Sequence, residues 1–255
     1  FAGGSISKDF APHAVKAGAV VIDNSSAFRM DPEVPLVVPE VNPQAILKHK
    51  GIIANPNCST IIMVMALKPI YDLAKIKRVI VSTYQAVSGA GKEGIDELDA
   101  QVRDHSEGRE MTANILPSAS AEKHYPIAFN LIPQIDVFCD NLYTKEEMKM
   151  VNETKKIMED YEMRITATTI RVPVYRSHSE SVNIELEKEV DLGAMREALA
   201  KFPGVTVQDD PSKQEYPMPL YTSEKDDVYV GRLRRDESCE KSYNMWVVGD
   251  QIRKG

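Results

Sequence analysis

The stretch Gly51-Ile-Ile-Ala-Asn-Pro-Asn-Cys-Ser-Thr-Ile-Ile-Met-Val-Met-Ala-Leu67 carries the decision about architecture. Its opening Ile52-Ile-Ala54 is a short all-apolar run of the kind buried in a parallel sheet, and Pro56 closes it. From Ser59 the residues Ile61, Ile62, Met65, Ala66, Pro69 and Ile70 are apolar on nearly all sides, which predicts a buried helix beginning just after Asn57. Cys58 therefore stands at a strand-to-helix junction. Free backbone N–H groups and the helix dipole at such a junction favour a thiolate, so a lowered thiol pKa is expected there. Cysteine is also among the most buried residue types, and simple packing is the competing reading.

The same unit is repeated upstream, where Lys16-Ala-Gly-Ala-Val-Val-Ile-Asp23 has a helix-ending Gly18 followed by a buried-strand run. Pro32, Pro35, Pro39, Pro43 and Pro56 punctuate the connections, so the strands are short and the loops rigid. Downstream, residues 77–88 read as a strand, and 92–107 read as a helix with Ile95, Leu98 and Val102 on one side. The polar stretch 104–125 has no period and reads as loop. A helix over 145–161 precedes two alternating strands, 164–175 and 181–190. The helix 192–202 ends at Pro203-Gly204 and returns through Val205-Thr-Val207. With 227–234 and 244–248 these strands make a second half whose sheet should be mixed and largely antiparallel.

Composition excludes several classes of function. The 255 residues are 43% hydrophobic and 27% charged, an ordinary globular balance that leaves no room for collagen, coiled coil or disorder. The longest apolar run, Ile61 to Leu67, is far too short to span a bilayer. Thirty-one basic against 38 acidic residues give a net charge of −7, so a nucleic-acid backbone is an unsuitable partner. Cys58, Cys139 and Cys239 form no metal-ligand spacing and suit a reducing compartment, with the cytoplasm as default. The chain opens on Phe1-Ala-Gly-Gly without an initiator Met and reads like a fragment.

Other candidate groups are individually weak. Gly89-Ala-Gly-Lys-Glu-Gly94 matches a dinucleotide fingerprint, but no second strand ending in an acid follows about 20 residues on. It also fails as a Walker loop and reads best as a turn whose N–H groups face a ligand or solvent. His178, in Arg176-Ser-His-Ser-Glu180 between two strands, is the most suggestive histidine, although a loop histidine is commonly just solvated. Arg171 lies in an alternating strand, where its guanidinium either meets a buried anion or faces water from an edge. Glu146 and Lys149 sit three apart on a helix, as a surface ion pair or a charged clamp.

Taken in order, Ser25-Ser-Ala-Phe-Arg29, Pro56-Asn-Cys-Ser-Thr60, Tyr84-Gln-Ala-Val-Ser-Gly-Ala-Gly91, Glu146-Glu-Met-Lys149, Arg171-Val-Pro-Val with His178, and Gly249-Asp-Gln251 closely resemble the aspartate-β-semialdehyde dehydrogenase family. The series spans nearly the whole chain, which makes the composite far more specific than any one motif. The resemblance implies an α/β protein: a partial Rossmann nucleotide-binding domain joined to a larger α+β catalytic and dimerisation domain of the glyceraldehyde-3-phosphate dehydrogenase type, with a mixed sheet. Residues 1–57 and 244–255 are expected in the nucleotide-binding remnant and 58–243 in the catalytic domain.

The implied chemistry interconverts L-aspartyl 4-phosphate and L-aspartate 4-semialdehyde with NADP as cofactor and inorganic phosphate as partner, in a homodimer or homotetramer supplying amino-acid biosynthesis. By position, Cys58 resembles the nucleophile and His178 the acid/base. Gln85 resembles the residue orienting the intermediate, Arg171 the binder of the substrate carboxylate and Glu146 the partner of its amine. Arg29, Asn57 and Lys149 fall where the family binds phosphate. Ser88, Gly89 and Gln251 match cofactor contacts, and Gly3 and Gly4 fall beside the cofactor more loosely. The family's leading glycine-rich βαβ turn and its closing helix are absent from this sequence. N-acetyl-γ-glutamyl-phosphate reductase, which has no free amine to recognise, and a cysteine acyltransferase or hydrolase are the alternative activities.

Overall fold

A computed structural model describes residues 3–255. Two sheets organise them. The first is a parallel pair, β1 (Val21–Asp23) and β2 (Ile52–Ala54), preceded by helix α1 (Gly4–Lys16). The second has six strands in the order β4-β3-β5-β8-β7-β6: β3 (Ile76–Gln85), β4 (Arg164–Arg171), β5 (His178–Leu186), β6 (Val205–Val207), β7 (Val228–Arg235) and β8 (Ser242–Gly249). Its outer pairs, β3 with β4 and β6 with β7, are parallel and its three inner pairs antiparallel. The mixed, largely antiparallel sheet expected from the alternation is therefore what forms.

Helix α2 (Cys58–Leu73) is the buried spine: Ile61 through Leu67 are all inaccessible or nearly so, as their unbroken apolar run requires. It packs on one face of the large sheet with α4 (Lys145–Met158) and α5 (Leu192–Lys201), in one continuous core with Val79, Val81, Val182, Ile184, Tyr243, Met245 and Val247. Truncating one of these large aliphatic side chains to alanine typically costs about 2–5 kcal/mol. Helix α3 (Lys92–Ser106) closes a smaller core with Val87, Leu116, Ile127 and Ile132. The short helices α6 (Pro219–Thr222) and α7 (Gln251–Lys254) flank the carboxyl end of β8.

Three expectations are revised, and one that was left open is decided. Residues 244–249 belong to the six-stranded sheet, because the period-2 burial of Tyr243, Met245 and Val247 commits them to its core and not to the amino-terminal pair. The run before Asp23 is not fully buried: Ile22 is 76% exposed, and among the described residues β1 pairs with β2 alone. His178 is the first residue of β5, not a loop residue, and is inaccessible. Arg171 belongs to an edge strand, yet its side chain lies on the covered face, where Ala167 and Thr169 precede it.

Candidate active site

The carboxyl ends of β3 and β4, the start of β5 and the amino end of α2 converge on one cavity of about 520 Å³. Arg29, Asn57, Cys58, Gln85, Ser88, Gly89, Glu146, Lys149, Arg171 and Gln251 all line it. His178 borders it behind Gly89, where an added Cβ would lie 3.1 Å from the imidazole Cε1 and 2.7 Å from Arg171 Nη1. Apart from Gly3 and Gly4, the site residues named from sequence are thus brought to one cleft. Gly3 and Gly4 begin α1, outside it.

Asn57 caps α2: its Oδ1 accepts from the Thr60 N–H at 3.1 Å, and its Nδ2 donates to Glu146 Oε1 at 2.8 Å. Cys58 is the first helical residue, as the junction predicts, but its electrostatics reverse the expectation. Burial and then the Glu146 carboxylate push the thiol up to about 12; the Ser59 N–H, Arg171 and Arg29 oppose this without prevailing.

A charged ladder on α4 forms one wall. Its amino end is fixed by a capping box between Thr144 and Glu147, and Glu147 Oε1 also accepts from the Thr169 N–H at 3.0 Å, tying the helix to β4. Lys149 Nζ lies 3.1 Å from Glu146 Oε2 and 3.0 Å from Asp136 Oδ2. Burial works against this ammonium, but the two carboxylates outweigh it and hold Lys149 above its ordinary value. The Glu146–Lys149 pair is therefore part of the cleft wall and not a solvated surface pair.

Arg29 is 8% exposed and largely committed internally. It donates to the Asn55 carbonyl at 2.9 Å, the Asn24 carbonyl at 3.0 Å and Glu153 Oε1 at 3.3 Å. Glu153 also accepts the Asn57 N–H at 2.6 Å, so one buried carboxylate joins the cation to the residue before the cysteine. Sequence reasoning missed Glu153. Its signal was its place at 146, 150, 153, 157 on α4, where two acids share a stripe with the buried Met150 and Ile157.

The opposite wall is the sheet. Ala86 follows β3, and its N–H donates to His178 Nδ1 at 3.1 Å while its carbonyl accepts from Arg171 Nη1 at 2.7 Å. An amide N–H can only donate, so Nδ1 is the unprotonated nitrogen and the neutral ring carries its proton on Nε2. That Nε2 is buried and without a partner within the chain. Burial and then the Arg171 charge hold the imidazole well below its ordinary value, so it stays neutral. Beneath it on the same face of β5, Glu180 is inaccessible, both its carboxyl oxygens lack partners, and burial keeps it well above the carboxylate range.

The arrangement can perform nucleophilic chemistry at Cys58, donate a hydrogen bond from the protonated Nε2 of His178 to a developing oxyanion and grip a zwitterion between Glu146 and Arg171. Among the described residues no cluster of metal-ligating side chains forms, and no helix is long and apolar enough to cross a membrane.

Comparison with known proteins bears on the same residues. The family model described as semialdehyde dehydrogenase, dimerisation domain, matches residues 67–254, and the semialdehyde dehydrogenase NAD binding domain matches 1–49. Aspartate-semialdehyde dehydrogenase of Aquifex aeolicus is 57% identical over the whole chain, and that of Bacillus subtilis 54%; the chain spans 74% of each. A crystal structure of aspartate semialdehyde dehydrogenase II from Vibrio cholerae, 48% identical, superposes with a TM-score of 0.94 over all of this chain and 74% of its own. A second structure of that enzyme, complexed with ASA, is 47% identical with a TM-score of 0.94 over the same shares. With a cysteine at the head of a buried helix, a neutral histidine across the cleft and relatives this similar over its full length, the chain belongs to the aspartate-semialdehyde dehydrogenase family of oxidoreductases.

Proposed function

We propose that the cleft performs the NADP-dependent reductive dephosphorylation of L-aspartyl 4-phosphate to L-aspartate 4-semialdehyde, reversibly and through a thioester on Cys58. The observation that carries this reading is that Cys58 and His178 border one cavity, with a carboxylate, Glu146, and a guanidinium cation, Arg171, lining it.

The substrate's ammonium would pair with Glu146 and its α-carboxylate with Arg171, fixing the reacting carbonyl over Cys58. Arg171 is buried and pushed down from its ordinary value by that burial, which an incoming carboxylate would relieve. Pairing Glu146 with an ammonium also withdraws its opposition to the Cys58 thiolate, so substrate binding itself would prepare the nucleophile. The thiolate adds to the acyl carbon and phosphate leaves with the bond pair. Lys149, with Arg29 and Asn57 beside it, is suited to the departing charge: Arg29 has three of its five N–H donors committed, leaving two.

NADPH, when bound, would supply the hydride for the thioester carbonyl. The protonated Nε2 of neutral His178 is suited to donate a hydrogen bond to the oxyanion that forms there, and as that oxyanion collapses to the aldehyde the Cys58 thiolate leaves with the C–S bond pair. Gln85 Nε2, 3.4 Å from Glu146 Oε1 and 3.2 Å from Thr83 Oγ1, is placed to steady the intermediate. A flat nicotinamide fits beside Gly89, the one position where a side chain would strike both His178 and Arg171; Ser88 and Gln251 adjoin it. For the dinucleotide's far end, a cavity of about 410 Å³ opens at the carboxyl end of β1, lined by Ile6, Ser7, Phe10, Asp23 and Asn24.

The other face of the six-stranded sheet, where the Tyr84 and Trp246 rings meet at a tilt with centroids 5.5 Å apart, is not covered by a helix layer among the described residues and suits a second copy of the chain, in keeping with the dimerisation-domain match. Residues 1–57 are proposed as the nucleotide-binding part and the six-stranded sheet with its helices as the catalytic part, in a cytoplasmic enzyme. The deciding experiment follows NADPH formation from L-aspartate 4-semialdehyde and NADP with and without inorganic phosphate. Phosphate-dependent formation is expected; formation at the same rate without phosphate would replace this reading with a hydrolytic one.

A further inference from the structure

The catalytic histidine enters the cleft from an unusual turn. Ser177, directly before it, is inaccessible and has φ +72°, a left-handed conformation that a serine adopts only under constraint. The constraint is supplied by three consecutive residues at the end of β8, each meeting one residue of the turn. Gly249 pairs with His178 in the β5–β8 ladder. Gln251 Oε1 accepts the Ser177 N–H at 3.1 Å, while its Nε2 donates to Ser88 Oγ in the Gly89 turn. Asp250 Oδ2 lies 2.7 Å from Arg176 Nε, in an ion pair whose acidic side chain is inaccessible.

Asp250 is the most heavily tied of the three. It also accepts the Glu224 N–H at 2.5 Å and caps α7 through the Ile252 N–H at 2.9 Å. A Cβ on Gly249 would come within 3.0 Å of Ile62 Cγ1, so the clamp itself rests against the spine helix that begins with Cys58.

We infer that Asp250 is a positioning residue for His178: through Arg176 and the strained Ser177 it holds the imidazole with Nδ1 on the Ala86 N–H and Nε2 towards the cleft. The role in catalysis rests on the function proposed above; the positioning itself does not. Gln251, for which the resemblance implies a cofactor contact, carries the second tie and joins the Gly89 turn to the histidine turn.

The test uses the full chain labelled with ¹⁵N-histidine, with the His178 signals assigned by their loss in His178→Gln. The unsubstituted chain is expected to show an acceptor-type Nδ1 and a protonated Nε2 through the neutral range. In Asp250→Asn and Arg176→Gln, the two His178 nitrogens should move towards tautomer-averaged shifts, and the other four histidines should keep theirs. Arg176→Lys, which retains the cation, should restore the original pattern in part. In the turnover assay the first two variants should lose about tenfold to a hundredfold in kcat with KM little changed. Unaltered His178 nitrogens in a folded Arg176→Gln chain would overturn the inference, even if Asp250→Asn fails to fold. Altered nitrogens with no phosphate-dependent turnover in any variant would keep the positioning role and discard the proposed reaction.

Discussion

The two walls of the cleft treat polar atoms in opposite ways. On the helix wall every charge has a partner: Glu146 with Lys149 and Asn57, Lys149 with Asp136, Arg29 with Glu153. On the sheet wall the polar atoms are left alone: His178 Nε2, Arg171 Nε and both oxygens of Glu180 are buried without partners. Leaving a buried polar group unpaired costs about 1–3 kcal/mol, so the sheet wall is held in place at the expense of stability. The difference teaches what each wall is for. Paired charges can exchange one partner for a substrate group at little cost, which suits recognition, whereas an unpaired proton donor in a dry place is poised to act on a neighbouring oxygen. Cys58 lies where the walls meet and feels both, through Glu146 on one side and Arg171 on the other.

The sharpest break would come at that meeting point. Cys58→Ala should lower turnover by about 10⁴-fold or more, and a loss of less than about tenfold in the NADPH assay would remove the thiol from the chemistry. Next is the sheet wall: His178→Gln should cost about 10²–10⁴-fold in kcat with the semialdehyde KM nearly unchanged. A rise in KM alone would move His178 to the recognition side of the comparison.

On the helix wall, Glu146→Gln should raise the semialdehyde KM roughly tenfold or more, as expected for losing a charge-assisted contact. It should also speed alkylation of Cys58 by iodoacetamide at fixed pH, because the carboxylate that holds the thiol up is gone. Slower substrate capture without faster alkylation would separate the two walls completely. The smallest effect is on stability. Glu180 is held above the carboxylate range in the fold, so the folded state keeps a proton that the unfolded chain releases, and stability falls as pH rises above about 4.3. His178 has the opposite slope: its folded value is depressed, so stability falls as pH drops below about 6.5. Glu180→Gln should therefore gain in melting temperature over the parent chain as buffers go from about pH 5 to about pH 8. A gain independent of pH would mean that Glu180 binds the same number of protons folded and unfolded, and would remove it from the pH dependence of stability.

The sequence was most legible where periodicity is strong. The helix after Asn57, the alternating strands and the mixed sheet follow from apolar spacing alone. The site residues could be named because their motifs recur in a family order, yet their environment could not. Cys58 was expected to be acidified by its helix, a local effect; the tertiary fold puts it in a dry pocket facing Glu146, and burial outweighs the dipole. His178 looked like a loop residue because polar neighbours surround it in sequence, and only the β8 pairing buries it. Periodicity put strand 244–248 in the second-half sheet, where it lies, whereas the domain division implied by the resemblance put 244–255 with the amino-terminal part. Glu153 was passed over because a helical acid usually faces water, although it shares the buried α4 stripe with Met150 and Ile157, and Ala86 because it contributes no polar side chain.

Ala86 has a practical corollary. Its buried methyl group makes no hydrogen bond, while its amide grips the histidine and its carbonyl grips the arginine. Alanine scanning passes over a position that is already alanine and misses the link between histidine and carboxylate binder. Replacing the peptide bond before residue 86 by an ester, which deletes the N–H and keeps every side chain, is the substitution that would expose it.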